Sequence, residues 1–139
     1  MSDDLSLCTN QIMAFFRDLD DREYARLTER LSAQATWHRQ GQILKGRAAV
    51  HDALAKRSPT LRIHHLITNV MADHIDGDEC HMRAYMLVVR HDDGKKACGP
   101  APLSGIENIR TTHVKLERDA DAWLIVQMRN DDPSFSATS

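Results

Sequence analysis

Apolar positions in the first third of the chain recur every three or four residues. Leu5, Cys8, Ile12, Phe15 and Leu19 align on one side of a helix, and Phe16 widens the stripe. Asp4 or Ser2 is placed to cap its start. The stripe breaks at Leu19-Asp20-Asp21, after which Tyr24, Leu27 and Leu31 share a face of a second helix. Residues 33–41 lose the helical period and read as a short extended piece around Trp37, ended by the turn residue Gly41. Gly46 opens a third helix with Ala49, Val50, Ala53 and Leu54 on its buried side. Ser58-Pro59 ends it, because proline disfavours helix in the residue before it.

From Leu61 the period shortens to two. Residues 62–75, 79–91, 105–118 and 123–130 read as strands. The turns between them fall at Asp76-Gly77-Asp78, at Asp92 to Lys95 with the Gly99, Pro100 and Pro102 loop, and at Asp119 to Asp121. Three helices followed by a meander of long, mostly antiparallel strands predict an α+β fold with one sheet face buried against the helices. If that sheet curls, it forms a cone-shaped roll with a cavity in its mouth. Residues 1–130 read as one domain, and the small, polar residues 131–139 as a flexible tail.

Side chains on a strand alternate between faces, so His65, Ile67, Asn69 and Met71 share one side of the first long strand and His64, Leu66, Thr68 and Val70 the other. An imidazole and a carboxamide among apolar neighbours describe a binding pocket, and equally a satisfied polar pair in a core. An imidazole suits proton transfer near neutral pH, which makes His65 a candidate acid or base; Asn69 suits the orientation of a substrate oxygen. On the second strand Met82, Ala84, Met86 and Val88 share a face with Arg90, and His91 turns inward only if a bulge intervenes. Trp37, Phe15, Phe16 and Met86 are candidates for an apolar lining or for ordinary core. Tyr85, Leu87 and Val89 form an apolar stripe on the opposite face, which calls for cover by a second copy or by the chain's own ends.

At 139 residues with 18 Lys plus Arg against 20 Asp plus Glu, the chain carries no basic footprint for nucleic acid. No apolar run approaches a membrane span. Cys8, Cys80 and Cys98 are odd in number and form no CxxC, which points to a reduced, cytoplasmic protein. Eight histidines invite a metal reading, but no HxH, HExxH or Cys/His cluster occurs and the rings of His64 and His65 diverge, so neither metal nor cofactor is expected.

Three segments carry a family resemblance: Leu19-Asp20-Asp21-Arg22-Glu23-Tyr24, Gly46-Arg47-Ala48-Ala49-Val50, and the run from Pro59 to Asn69. In this order they resemble the junction of the first two helices, the third-helix start and the entry into the sheet of the nuclear transport factor 2-like (cystatin-like) superfamily. The closer likeness, over roughly residues 7–130, is to its SnoaL-like branch, with scytalone dehydratase and the small subunits of ring-hydroxylating dioxygenases. The resemblance implies an acid at Asp20 and a histidine at His65, both facing a cavity. The family's second histidine aligns with Arg90, one residue before His91, and its two tyrosine positions fall near Leu19 and His38-Arg39. The likeness thus implies a domain that binds a small apolar molecule, with His65 and Asp20 as catalytic candidates. Asn69, Arg90, His91, Trp37, Met86 and Phe16 are the substrate-binding candidates. The chemistry implied is a cofactor-free lyase or isomerase reaction: dehydration, isomerisation or cyclisation of a carbonyl compound. A ligand carrier or sensor and a scaffold subunit are the alternatives, and a homodimer through the outer sheet face is the expected assembly. Asp20-x-x-Glu23 also imitates a capping box, which would spend Asp20, or Asp21 beside it, on the start of the second helix.

Overall fold

Helix α1 (Asp4–Asp20) buries Cys8, Ile12, Phe15, Phe16 and Leu19, the periodic stripe without its first member; Leu5 stays half exposed at the helix start. The computed structural model describes residues 3–137, so the proposed cap Ser2 lies outside the described residues. Asp4 does not cap. Its carboxylate accepts bonds from the Arg118 guanidinium and the Trp123 indole and ties α1 to the far strands.

Helix α2 (Tyr24–Glu29) is shorter than its spacing predicts. Leu31 does not extend it but opens strand β1 (Leu31–Arg39), where it is buried with Ala35 and Trp37. A hairpin leads to β2 (Gln42–Lys45). Gly46 then starts α3 (Arg47–Ala55) at φ +85°, with its N–H on the Ala35 carbonyl at 2.8 Å. An L side chain rarely adopts that conformation, so glycine suits the junction. Four more strands follow: β3 (Arg62–Ile75), β4 (Glu79–His91), β5 (Asn108–Asp119) and β6 (Ala122–Asn130). The segment expected to fray instead contributes β7 (Phe135–Ser136), which pairs with Asn108 and Ile109 of β5. Thr138 and Ser139 lie outside the described residues.

The seven strands form one curved sheet in the order β2-β1-β6-β5-β4-β3, with β7 beside β5. It is mixed rather than wholly antiparallel, because β1 runs parallel to β6, with Trp37 opposite Met128. The core lies between the helices and one sheet face, in one cluster that includes Val50, Leu54 and Leu27 from the helices and Met82, Val114, Leu116 and Ile125 from the sheet. Strand β3 occupies an edge, so part of its backbone faces away from any neighbouring strand, and α1 packs there.

Strand β3 is broken by one residue. Asn69 has φ +54°, and the pairing with β4 shifts between Thr68 and Met71. Asparagine tolerates this left-handed conformation better than most residues. The bulge reverses the alternation, so Ile63, Ile67, Val70 and Ala72 pack toward the core while Met71 is turned out.

Candidate functional site

Two arginines set the end of α1 against β3. Arg22, itself at φ +62°, donates to the carbonyls of Ser58 and Leu61 at 2.8 and 2.7 Å. Arg57 donates to the Leu19 carbonyl and the Tyr24 hydroxyl, both at 2.9 Å. A helix leaves its last carbonyls without intrahelical partners, and Arg57 supplies one for Leu19. The junction is thereby fastened to the connection between α3 and β3, and Asp20 is carried to the edge of the sheet.

Asp20 is not spent on capping. Glu23 holds the cap position of α2 without a side-chain bond, and Asp21 ends α1 with its carboxylate on Arg17. The Asp20 carboxylate instead accepts the backbone N–H of His65 at 2.8 Å and contacts His65 Nδ1 at 2.6 Å. The backbone bond is available because β3 is an edge strand. Both side chains are about nine-tenths buried, and the imidazole lies 5.4 Å from the Phe16 ring at a tilt of 36°. A carboxylate can only accept, so Nδ1 carries the hydrogen. Nε2 is then the basic nitrogen, and it has no hydrogen-bond partner among the described residues.

His65 lines a cavity of about 580 Å³, within the range of small-molecule sites. Phe16, Trp37, Met86 and Arg90 line the same cavity. Trp37 stacks edge-on against the buried Phe15, which belongs to the core. Alternation brings Arg90 in: it stands opposite Ile63 and continues the face of Met82, Met86 and Val88. It does not meet Asp20; its carboxylate neighbours are Glu107, at 3.9 Å, and Asp92. A second hollow of similar size, about 590 Å³, lies on the other side of the dyad against α1, where Met13, His64 and Leu66 line it.

Two candidates lie elsewhere. Asn69 is exposed and bonded to Thr68, because the bulge it forms removes it from the His65 face. His91 follows Arg90 on an unbulged strand end, so it points to the opposite side; its Nε2 lies 3.7 Å from Asp93.

The same alternation identifies wall residues that the sequence reading passed over. Arg39 lies two residues beyond Trp37, Asn130 two beyond Met128, and Arg110 two before the buried Thr112. Each continues a buried face to the end of its strand, where the cavity opens. Burial, and then the charge of Arg57, push the Arg39 guanidinium below its usual pKa; its Cζ lies over the Trp37 ring, 5.6 Å from the centroid. Asn130 Oδ1 is buried without a hydrogen-bond partner among the described residues. Among those residues no group of three or more His, Cys, Asp or Glu gathers in a way that would hold a metal, and no helix is long and apolar enough to cross a membrane.

The SnoaL-like domain family model matches residues 3–129. Among solved structures, an NTF2-like protein with a cystatin-like fold from Novosphingobium aromaticivorans is 18% identical, covering 96% of this chain and 84% of that one at a TM-score of 0.77. A provisionally named scytalone dehydratase from the same organism is 14% identical, covering 94% and 86% at 0.74. ActVI-ORFA from Streptomyces coelicolor is 14% identical, covering 96% and 98% at 0.75. None of the curated proteins matches the chain. At these identities the structural likeness is one of fold.

Proposed function

The chain belongs to the SnoaL-like family, and from that premise we propose that it is a cofactor-free acid/base catalyst acting next to the carbonyl of a small molecule, as a dehydratase, isomerase or cyclase. The observation that carries this reading is the 2.6 Å contact between Asp20 Oδ1 and His65 Nδ1 on the wall of a cavity. Asp20 fixes the tautomer and balances the imidazolium once His65 has taken a proton through Nε2. Phe16, Trp37 and Met86 hold the apolar body of the substrate, and Arg90 takes a substrate oxygen at the mouth. The likeness to a provisionally named scytalone dehydratase adds weight to dehydration.

The test is exchange of carbonyl-adjacent protons in heavy water, followed by proton NMR on a panel of bicyclic aromatic ketones. The protein accelerates exchange, and His65→Gln slows it by about 10² or more. Exchange no faster than in buffer, or a His65→Gln rate equal to the parent's, overturns the mechanism.

The outer sheet face suits a second copy of the chain. Leu66, Met71 and Tyr85 are each about half exposed there, and an apolar patch of that kind marks an interaction surface. Sedimentation reads the expected homodimer. The free thiols fit a reducing compartment such as the cytoplasm.

A further inference from the structure

The open end of the cavity is ringed by positive charge that the protein neutralises only at Arg90. Arg39 at the end of β1, Lys56 and Arg57 after α3, Arg90 at the end of β4 and Arg110 in β5 line it, and Glu107 is the one carboxylate among the described lining residues. Glu107 stands 3.9 Å from Arg90. Arg39, Lys56, Arg57 and Arg110 form no salt bridge among the described residues. Arg110 donates instead to Asn108 Oδ1 at 3.2 Å, and Arg57 to a carbonyl and a phenol. Of the acids just outside the lining, Asp92 is engaged by the Ser58 and Thr60 hydroxyls and the Gly94 N–H, and Asp20 is occupied by His65.

Arg39, Arg57 and Arg110 stand partly buried on this wall; cations so placed repel one another and lose hydration, a cost that an anion bound among them offsets. The lowered pKa of Arg39 reports that cost: burial and the neighbouring Arg57 both disfavour its charged form. Guanidinium groups present planar forks that grip an oxyanion through two parallel hydrogen bonds. Deeper in, the wall turns apolar at Phe16, Trp37 and Met86. On the same wall, Asn130 Oδ1 is a buried acceptor without a hydrogen-bond partner among the described residues.

We propose that the substrate of this site is an organic acid: an apolar body held beside His65, with a carboxylate at the cavity mouth gripped by Arg39 and Arg110. Arg57 and Lys56 add charge from the α3 side, and Asn130 accepts from a hydroxyl on the ligand. The assignment rests on the acid/base reading only in taking the same cavity as the site; the anion preference is a property of binding and needs no turnover.

Isothermal calorimetry on the full chain compares 2-naphthoate, neutral 2-naphthamide and 2-naphthyl phosphate. The carboxylate binds about tenfold or more tighter than the amide, the equivalent of one charge-assisted hydrogen bond, and its affinity falls with added salt. Arg39→Gln and Arg110→Gln each remove most of that preference, read as the ratio of carboxylate to amide affinity. Circular dichroism checks the fold of each, and either folded variant suffices. Equal binding of the carboxylate and the amide overturns the proposal, as does a preference that survives in both folded variants. Tighter binding of the phosphate than of the carboxylate overturns the assignment to a carboxylic acid. Calorimetry reads affinity alone, so absence of proton exchange would sink the acid/base mechanism and leave this result standing, and the converse also holds.

Discussion

Asp20 holds His65 twice, through the backbone N–H at 2.8 Å and through Nδ1 at 2.6 Å, so one carboxylate fixes both the position of the strand and the tautomer of the ring. The pair joins the last residue of α1 to the edge strand β3. Replacing Asp20 by asparagine separates the two roles. The amide oxygen still accepts the backbone N–H, but its NH₂ faces Nδ1 and forces the hydrogen onto Nε2. Nitrogen-15 NMR of the imidazole should show that tautomer, and proton exchange should fall by about 10² or more with the fold intact. Asp20→Ala loses both bonds and should destabilise the chain by about 2–3 kcal/mol in urea unfolding.

Asn69 should tolerate glycine and resist β-branched residues. Its φ of +54° places a Cβ where only glycine, asparagine and aspartate sit comfortably. Asn69→Val should cost about 1–2 kcal/mol in thermal unfolding, whereas Asn69→Gly should be near neutral. Neither should alter 2-naphthoate binding, because Asn69 lies outside the cavity.

The cysteines should divide sharply by reactivity. Cys8 and Cys80 are fully buried, and burial pushes the Cys8 thiol up to about 12 and raises that of Cys80. Cys98 is exposed. Since the thiolate is the reactive species, iodoacetamide at pH 8 should label Cys98 alone in the native protein and all three cysteines after denaturation, as read by mass spectrometry.

Two loop carboxylates should make the protein sensitive to acid. The Ser58 and Thr60 hydroxyls and the Gly94 N–H hold Asp92 at about 2. The Asp78 and Glu79 N–H groups and the His74 ring hold Asp76 at about 2. Both carboxyls are depressed from the ordinary 3.8. Their stabilisation is therefore complete above about pH 4 and is lost as pH falls through about 2. Asp92→Asn and Asp76→Asn should each flatten the stability profile in that window, measured by denaturant unfolding at stepped pH.

Much of this could be read along the chain because alternation and helical spacing report burial directly. The bounds of β3 and β4 follow from runs of period two closed by aspartate-glycine turns, and α1 follows from its stripe. What was not legible has local causes. Leu31 fits a helical face by spacing, yet its place is set by the distant β6, where it stands opposite Ile125. Asn69 fits the His65 face until its own backbone angle breaks the count. For the site, position along a face places Met86 and Arg90 together, whereas Phe16 and Trp37 read equally as lining or as core until the cavity they line is seen. The charged ring at the mouth emerges only when the ends of β1, β4, β5 and β6 are seen side by side, since Arg39, Arg90, Arg110 and Asn130 are remote in sequence.

The parallel pairing of β1 with β6 also sets an order of events during synthesis. The helices, the first hairpin and the β3–β5 meander can all leave the ribosome while Trp37, already paired with Leu44 of β2, still lacks the neighbour on its other side, which arrives only with Met128. Contacts so remote in sequence form slowly. The pocket is then among the last features to close, so a chain stalled before its final long strand would hold its helices yet bind nothing, and ligand capture would certify a finished molecule.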